Sequence, residues 1–467
     1  MEQPGSVSSS SNNSSISRTV ALITACLAVF FPSFMWSGLN IALPAVNLEF
    51  QADAILLSWV VTSQPLVNGV FLLPCGRLAD IFGIRKMFVT GLAIYTITTA
   101  IAIFSNSMIM LLVCWSFQGI GAAIVFGNST ALIAAAYPAN ERGKALGIFV
   151  ASLYMGMSVG PFLGGILTEY LGWRSIFMVS IPAYLLTILL VLWKVKGEWA
   201  AARGEKFDIT GSIIYGLALI ALMYGLSLLP EILGAGLILA GIIGILLFLK
   251  FESRTHSPIL NINVFRSNRM FLLSNLSALI SYGATFAIIF IMSLYLQYIK
   301  DLTPTLAGLV LVTQLVIRAV LSPITGRLSD KIEPRLVTSA GMALTFIGVL
   351  TLSFLTGETS ILYIIVALLI TGAGFSLFIT PNTNAVMTSA GAKFYGVAAA
   401  SEGTMRSIGQ MVSMGIVMVA MAVIIGRVVI TPDYYPEFIT STRVAFGFFS
   451  ALCFAGIFVS LARGKLK

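Results

Sequence analysis

Three ionisable side chains, Arg318, Glu402 and Arg406, lie deep inside long apolar runs. Glu402 and Arg406 are four residues apart, so they share one face of a helix. If these runs cross a membrane, a carboxylate at that depth can bind and release a proton as its surroundings change, and each charge that moves through the membrane field gains about 2.3 kcal/mol per 100 mV. We therefore predict Glu402 as the proton-coupling candidate, with Arg406 and Arg318 as charged partners. A static Glu402–Arg406 pair that only makes two buried charges tolerable explains the same pattern.

The composition requires those apolar runs to be membrane spans. The chain has 467 residues, of which 58% are hydrophobic and 10% are charged, and its mean hydropathy is +0.98. A soluble protein of this size cannot cover its surface with so few charges, so the fold class is an all-α polytopic membrane protein. Fourteen spans are predicted, at 19–44, 56–75, 87–105, 109–136, 144–168, 174–193, 209–229, 232–250, 270–298, 304–326, 336–356, 360–388, 396–426 and 441–462.

The lysines and arginines are distributed unequally between the two sides of these spans. Of the 27 in the chain, 21 fall on the side where the first span begins and four fall on the other side. We call these the basic side and the opposite side. Basic loops mark the cytoplasmic face, so we predict cytoplasmic termini and a cell-membrane location. Because the net charge of +9 is dispersed over many loops, nucleic-acid binding is not expected.

A charged loop on the basic side occurs twice. The first copy is Gly-Arg-Leu-Ala-Asp-Ile-Phe-Gly-Ile-Arg-Lys at 76–86, and its Gly-Arg-Leu-x-Asp core returns 250 residues later. A repeat of this kind indicates two homologous halves. The pattern resembles the signature loop of the major facilitator superfamily. The candidate gate residues are Gly76, Arg77, Asp80, Gly83 and Arg85 in the first copy and Gly326, Arg327 and Asp330 in the second.

This resemblance implies the major facilitator fold, in which two six-helix bundles enclose a central cavity. The bundles are expected at 19–193 and 270–462, with two additional spans inserted at 194–269 and short tails at 1–18 (disordered) and 463–467. It also implies an inner latch, in which Asp80 pairs with neighbouring arginines and faces the positive N-terminal end of the span that begins near Gly396. A loop that only sets topology is the alternative.

The fifth predicted span contains closely spaced small residues around a proline. Small residues four apart let helices approach closely, and a proline removes one backbone hydrogen bond and bends the helix. The pattern is similar to the antiporter signature of the fourteen-span drug:proton antiporter branch, and this resemblance implies export. Its members are Gly156, Gly160, Pro161, Gly164 and Gly165.

Two further stretches resemble the family but lack its charges. The family has an arginine three residues before the position of Gln118, where this chain has Trp115, and an acid before the position of Asn40, where this chain has Met35. The family is thought to use both charges in proton coupling, so their loss leaves Glu402 as the remaining candidate. The polar residues expected to line the cavity are Asn40, Gln118, Pro381 and Asn382.

The sequence favours a monomeric secondary transporter that exports amphipathic or lipophilic organic compounds of the multidrug type by alternating access, in exchange for protons. Export of one defined metabolite, or uniport, by the same fold remains open. A membrane-embedded enzyme or sensor is the alternative from another class, but an enzyme needs a nucleophile and base, or metal ligands, grouped at membrane depth. With His256 as the only histidine and no Cys-x-x-Cys spacing among four cysteines, neither a metal site nor a cofactor is expected.

Overall fold

The described chain consists of long helices joined by short loops. The structure is a computed structural model that describes residues 18–195, 200, 204–205, 207–255, 259, 265, 268–390 and 395–464. Within those residues, fourteen helical segments are long and apolar enough to cross a membrane. The prediction of fourteen spans in an all-α membrane protein is therefore confirmed. The N-terminal tail at 1–17 lies outside the described residues.

The first six helices form one half of the protein. They are α1 (Arg18–Phe50), α2 (Ala54–Phe82), α3 (Ile84–Ile103), α4 (Met108–Ala136), α5 (Ala139–Leu171) and α6 (Ser175–Lys194). Helix α1 packs along α5, while α4 packs on both α2 and α3. Several of these helices extend beyond the predicted apolar runs, because their ends continue into the polar regions on either side.

The remaining helices form an inserted pair and a second half. The pair is α7 (Ile209–Leu228) and α8 (Ile232–Glu252). The second half consists of α9 (Arg269–Thr285), α10 (Ile288–Leu294) with a π-turn at Tyr295–Ile299, α11 (Pro304–Lys331), α12 (Pro334–Leu352), α13 (Ile361–Ala390), α14 (Tyr395–Ile424) and α15 (Tyr435–Leu461). Helices α9 and α10 together make the ninth span, Arg269–Ile299.

Local chemistry fixes where several helices begin. The Asp53 carboxylate accepts hydrogen bonds from the backbone N–H groups of Ile55 and Leu56 at 2.9 and 2.8 Å, which satisfies two free donors at the start of α2. Asp208 caps α7 in the same way. Between α2 and α3, Gly83 has a φ of 111°, a conformation that favours glycine. This glycine lets the signature loop turn within one residue.

The two halves meet along two seams. Helix α5 of the first half packs on α11 of the second, and α2 packs on α14. The inserted hairpin α7–α8 lies against both α2 and α14, and the Tyr215 hydroxyl donates a hydrogen bond to the carbonyl of Gly69 at 3.0 Å. The inserted pair therefore contacts both sides of the α2–α14 seam.

One span is broken without a proline. The backbone leaves α9 at Phe286 and restarts as α10, and the N–H of Ala287 donates to the Ser413 hydroxyl on α14 at 3.0 Å. A neighbouring helix thus satisfies a donor that the break would otherwise leave unpaired inside the membrane. In contrast, four prolines lie inside continuous helices: Pro32, Pro65, Pro323 and Pro381.

Candidate functional site

The glycines of the fifth span bring three helices into close contact. A Cβ atom on Gly156, Gly160 or Gly164 would lie less than 3.0 Å from atoms of α1, so a larger residue would push α1 away. Gly165 faces the other seam, where a Cβ would lie 2.5 Å from the carbonyl oxygen of Pro304 on α11. The motif therefore joins α5 to its own half on one face and to the second half on the other.

On the opposite side, which is the side with few basic residues, α1 is hydrogen-bonded to α10 and to the π-turn that follows it. The Ser293 hydroxyl donates to the carbonyl of Asn40 at 2.7 Å, and the Gln297 amide donates to the carbonyl of Ile41 at 3.0 Å. These bonds join the first half to the second near the opposite surface. They show the protein closed on that side at the α1–α10 contact.

A third bond between the halves lies at the end of α5. The carboxylate of Glu169 accepts a hydrogen bond from the backbone N–H of Thr305 at 3.2 Å, at the first turn of α11. A carboxylate is favoured there because the first turn of a helix has unpaired N–H groups and a positive partial charge. The first half thus contributes a cap to a helix of the second half.

A charged cluster lies at the middle of the seam between the two halves. Its members are drawn from α5, α9, α11 and α14, and we call them the central cluster: Tyr154, Tyr282, Arg318, Glu402 and Arg406. Their charges and phenols are close enough to interact electrostatically. Tyr154 belongs to the first half and the other four belong to the second. The cluster therefore combines side chains from both halves.

Arg318 is the most enclosed member of the cluster. Its side chain is 8% exposed, and its guanidinium carbon lies 4.0 Å from the ring centre of Phe375 on α13. Its Nε and Nη2 atoms are buried, with no hydrogen-bond partner among the described residues. A guanidinium stacked on an aromatic ring is stabilised through cation–π attraction, but that attraction leaves its N–H donors unsatisfied.

Glu402 contacts a hydroxyl and not a cation. The Thr383 hydroxyl on α13 donates a short hydrogen bond to its carboxylate. Glu402 and Arg406 are both described and do not form a direct ion pair, although they are close enough to interact electrostatically. The alternative of a static pair is therefore not supported by a direct contact between these two residues. The proton-coupling role of Glu402 remains a prediction.

The signature loop has an unexpected partner. Asp80 is half-buried at the end of α2 and lies close to Arg77, whose guanidinium forms a short ion pair with Glu205 of the segment between α6 and α7. The Arg85 guanidinium donates to the carbonyl of Leu192 at 3.2 Å. The Glu205 contact could not be predicted from the sequence, because an acid in a linker has no spacing relation to the motif.

The second copy of the loop is less enclosed. Arg327 is exposed, and Gly326 lies against Thr380, where a Cβ would be 3.6 Å from its methyl group. The side chain of Asp330 lies outside the described part of the structure. The latch between Asp80 and the start of α14 thus remains a prediction, since side chains at 395–397 lie outside the described part as well.

The polar residues expected to line the cavity are all buried within helix contacts. Asn40 donates to the carbonyl of Trp36 at 2.8 Å, and Pro381 is buried in α13. Gln118 is fully buried in the first half, and neither atom of its amide has a partner among the described residues. Asn382 is also fully buried. Their role in lining a cavity remains a prediction.

Asn382 belongs to a network that we did not predict. Arg463, which follows α15, is 2% exposed and donates to the Asn382 amide oxygen at 2.9 Å and to the Ser274 hydroxyl at 3.2 Å. It also donates to Thr338 and Ser460. Burial lowers the pKa of Arg463 to about 10, so it stays charged at neutral pH. One cation thus joins α9, α12, α13 and α15.

Comparisons with known proteins agree with this architecture. Residues 25–414 match the sequence profile of the Major Facilitator Superfamily. The riboflavin transporter RibZ of Clostridioides difficile (strain 630) is 28% identical over 83% of this chain and 85% of its own length. The multidrug resistance protein Stp of Mycobacterium tuberculosis (strain CDC 1551 / Oshkosh) is 30% identical over 81% of this chain and 71% of its own. A crystal structure of a POT family transporter in complex with a thioalcohol-conjugated peptide superposes with a TM-score of 0.71 over 94% of each chain. At 13% identity, that likeness shows a shared fold alone.

Proposed function

Because this chain belongs to the major facilitator superfamily, we propose that it is a secondary transporter that exports amphipathic or lipophilic organic compounds, of the multidrug type, in exchange for protons. The chain is a multi-pass membrane transporter and not an enzyme. The observation that supports the proposal is the central cluster, because its ionisable groups come from helices of both halves. Substrate and coupling-ion sites of secondary transporters typically lie at the interface between the two repeats.

Export is supported by the packing of α5. Its glycines set the distance to α1 and, at Gly165, to α11, so the motif acts at the contact that closes the opposite side. A relative named as a multidrug resistance protein is 30% identical over 81% of this chain and 71% of its own length. We take the basic side as cytoplasmic and the cell membrane as the location, and we propose a monomer as the working unit.

Proton exchange is assigned to Glu402. It is the carboxylate that lies within the membrane-spanning part of α14, half-buried and bonded to a neutral hydroxyl. A carboxylate without a direct ion pair can change its proton affinity as water reaches it from one side or the other. Arg406 lies one helical turn away on the same helix.

A narrower substrate range is the second candidate. One of the relatives is named as a riboflavin transporter, and the buried guanidinium of Arg318 provides fixed hydrogen-bond donors. Sites built from fixed donors discriminate between substrates more strongly than apolar pockets do. Transport of a single metabolite by the same alternating mechanism is therefore the alternative.

The test is transport by the purified protein in sealed liposomes with an imposed pH gradient. We expect gradient-dependent accumulation of some members of a panel of cationic, neutral and anionic lipophilic compounds. Glu402→Gln should lose accumulation but keep exchange of labelled for unlabelled compound, because exchange needs no proton. The matched control is Glu358→Gln, which changes an exposed loop carboxylate. If the Glu402→Gln protein accumulates substrate with unchanged pH dependence, Glu402 is not the residue that carries the proton.

A further inference from the structure

We propose that Arg318 is the centre of an anion-binding subsite at the seam, so that the transported compound carries a carboxylate or another anionic group. This inference deepens the proposed function and rests on it only for the step of transport. Binding itself can be measured without a gradient or a membrane potential. The two ideas can therefore fail separately.

The first argument is that Arg318 has unused donors in a buried place. Its side chain is 8% exposed, its Nε and Nη2 atoms are buried without a partner, and it forms no ion pair with a carboxylate among the described residues. A buried cation is strongly destabilising unless an anion or hydrogen-bond acceptors compensate it. Among the described residues, the face of the Phe375 ring is the group that lies over its guanidinium.

The second argument is a comparison within the same half. Arg463 is also a buried arginine, but its guanidinium donates to three hydroxyls, one amide oxygen and one backbone carbonyl. That arginine holds helices together, and its donors are occupied. Arg318 forms no such bonds among the described residues, so helix packing does not account for it. Its planar fork is suited to a carboxylate or phosphate, which it can bind through two parallel bonds.

The third argument is the charge of the cluster. Arg318 and Arg406 carry two positive charges and Glu402 carries one negative charge, which leaves the central cluster with a formal charge of +1. A positively charged compound bound at the cluster would be repelled by this net charge, whereas a negatively charged compound would be attracted. Because Glu402 is bonded to Thr383, its carboxylate does not directly neutralise Arg318. The site is therefore complementary to an organic anion.

The fourth argument concerns the shape of the compound. Tyr154 and Tyr282 are near enough to Arg318 to interact with it electrostatically, and their hydroxyls form no hydrogen bond to another described residue. They offer two more donors for an anion and two rings on which a planar compound can stack. Since Tyr154 comes from the first half and Arg318 from the second, a bound anion would contact both halves. We infer a planar, aromatic anion as the preferred class.

The experiment compares two dyes that share a xanthene ring system but differ in charge. Fluorescein is anionic and rhodamine 6G is cationic, and binding of each to the purified full-length protein in a neutral detergent is followed by fluorescence anisotropy. Empty micelles correct for partitioning of the dyes. We expect tighter binding of fluorescein than of rhodamine 6G by the unchanged protein.

Four variants separate the charge at the site from the charge elsewhere. Arg318→Gln should weaken fluorescein binding by about tenfold or more, the loss expected for a charge-assisted hydrogen bond, and Arg318→Lys should restore part of it. Glu402→Gln should strengthen fluorescein binding, because it raises the charge of the cluster. Arg443→Gln, which removes an exposed arginine on the opposite side, should bind as the unchanged protein does.

Several results would overturn the subsite. They are equal fluorescein affinity in Arg318→Gln, tighter binding of rhodamine 6G by the unchanged protein, or binding of neither dye. If Arg318→Gln does not fold, weaker fluorescein binding in Glu402→Gln than in the unchanged protein would also contradict it. If the protein exports cations from liposomes but does not bind fluorescein, the anion-binding subsite is rejected and the proposed export function stands. Fluorescein binding without any transport would reject the exporter and keep the subsite.

Discussion

Replacing Gly308 by alanine tests how closely the opposite side is closed. Gly308 lies on α11, and a Cβ there would be 2.7 Å from the carbonyl carbon of Pro161 on α5 and still closer to its oxygen. Ordinary contact begins at 3.4 Å, so the two helices would have to separate by about 0.7 Å or more. Because the clash is between two backbones, no side-chain rotation can relieve it.

The clash should shift the balance between conformations. Overpacking of a tight contact costs about 1–3 kcal/mol, and here the cost applies only while α5 and α11 are together on the opposite side. A cost of that size changes the ratio of two conformations by roughly 5- to 150-fold. We therefore expect Gly308→Ala to favour the conformation that is open on the opposite side.

The assay is a distance measurement between spin labels in two exposed loops of the opposite side, one in each half. Cysteines at Asn106 and Glu358 would hold the labels, with Cys26 replaced by alanine because it is the one native cysteine that is not buried. The control is Gly147→Ala on α5, where a Cβ meets nothing within 4 Å. An unchanged distance distribution in Gly308→Ala would refute the inference that this contact closes the opposite side.

Three further expectations concern the gate, the second half and the topology. Asp80→Asn should slow transport strongly while substrate affinity changes by no more than about a few-fold, because a latch changes the balance of conformations and not the binding site. Normal turnover in a liposome assay would indicate that the loop only sets the topology. Arg463→Ala should lower the free energy of unfolding by about 2–4 kcal/mol, because it removes charge-assisted bonds and leaves the Asn382 oxygen unpaired; a thermal midpoint in detergent equal to that of the exposed-site control Arg443→Ala would contradict this. A reporter fused near residue 200 should lie on the cytoplasmic side and one near residue 230 on the other side. The reverse location at either site would contradict the inserted pair of spans.

Hydropathy was sufficient to predict the fourteen spans. The free-energy cost of placing a charge in the bilayer is large, so apolar runs of about twenty residues have few alternatives to spanning it. The close packing of α5 could also be predicted from its glycines, because only a small residue allows the approach to α1 seen at Gly160. In both cases the physical constraint acts on residue type at a fixed spacing.

The parts that sequence did not predict depend on contacts between distant segments. The break at Phe286 has no proline, and it is stabilised by Ser413 from another helix. Glu205 and Arg463 bond to residues that are distant in the sequence, and no spacing rule predicts those pairs. Asn382 has the polarity expected of a cavity residue, but the direction of its side chain into the second half is set by Arg463.

The two arginines of the second half illustrate the same limit. Arg318 lies inside a predicted span and Arg463 directly follows the last one, but neither position shows which arginine has hydrogen-bond partners. Only the structure separates an arginine with occupied donors from one without hydrogen-bond partners among the described residues. Charge at membrane depth thus indicates function in general, while the particular role follows from the partners.

The exchange of substrate for protons is tested most directly by the movement of protons when a substrate gradient is imposed and no pH gradient is present. The purified protein in liposomes would be loaded with a compound that it transports, and the internal pH would be followed with a trapped indicator on dilution into compound-free buffer. We expect compound leaving the liposomes to drive protons in, so that the interior becomes acidic, and we expect Glu402→Gln to abolish the change. Exit of compound with no change of internal pH would contradict exchange and identify the protein as a uniporter.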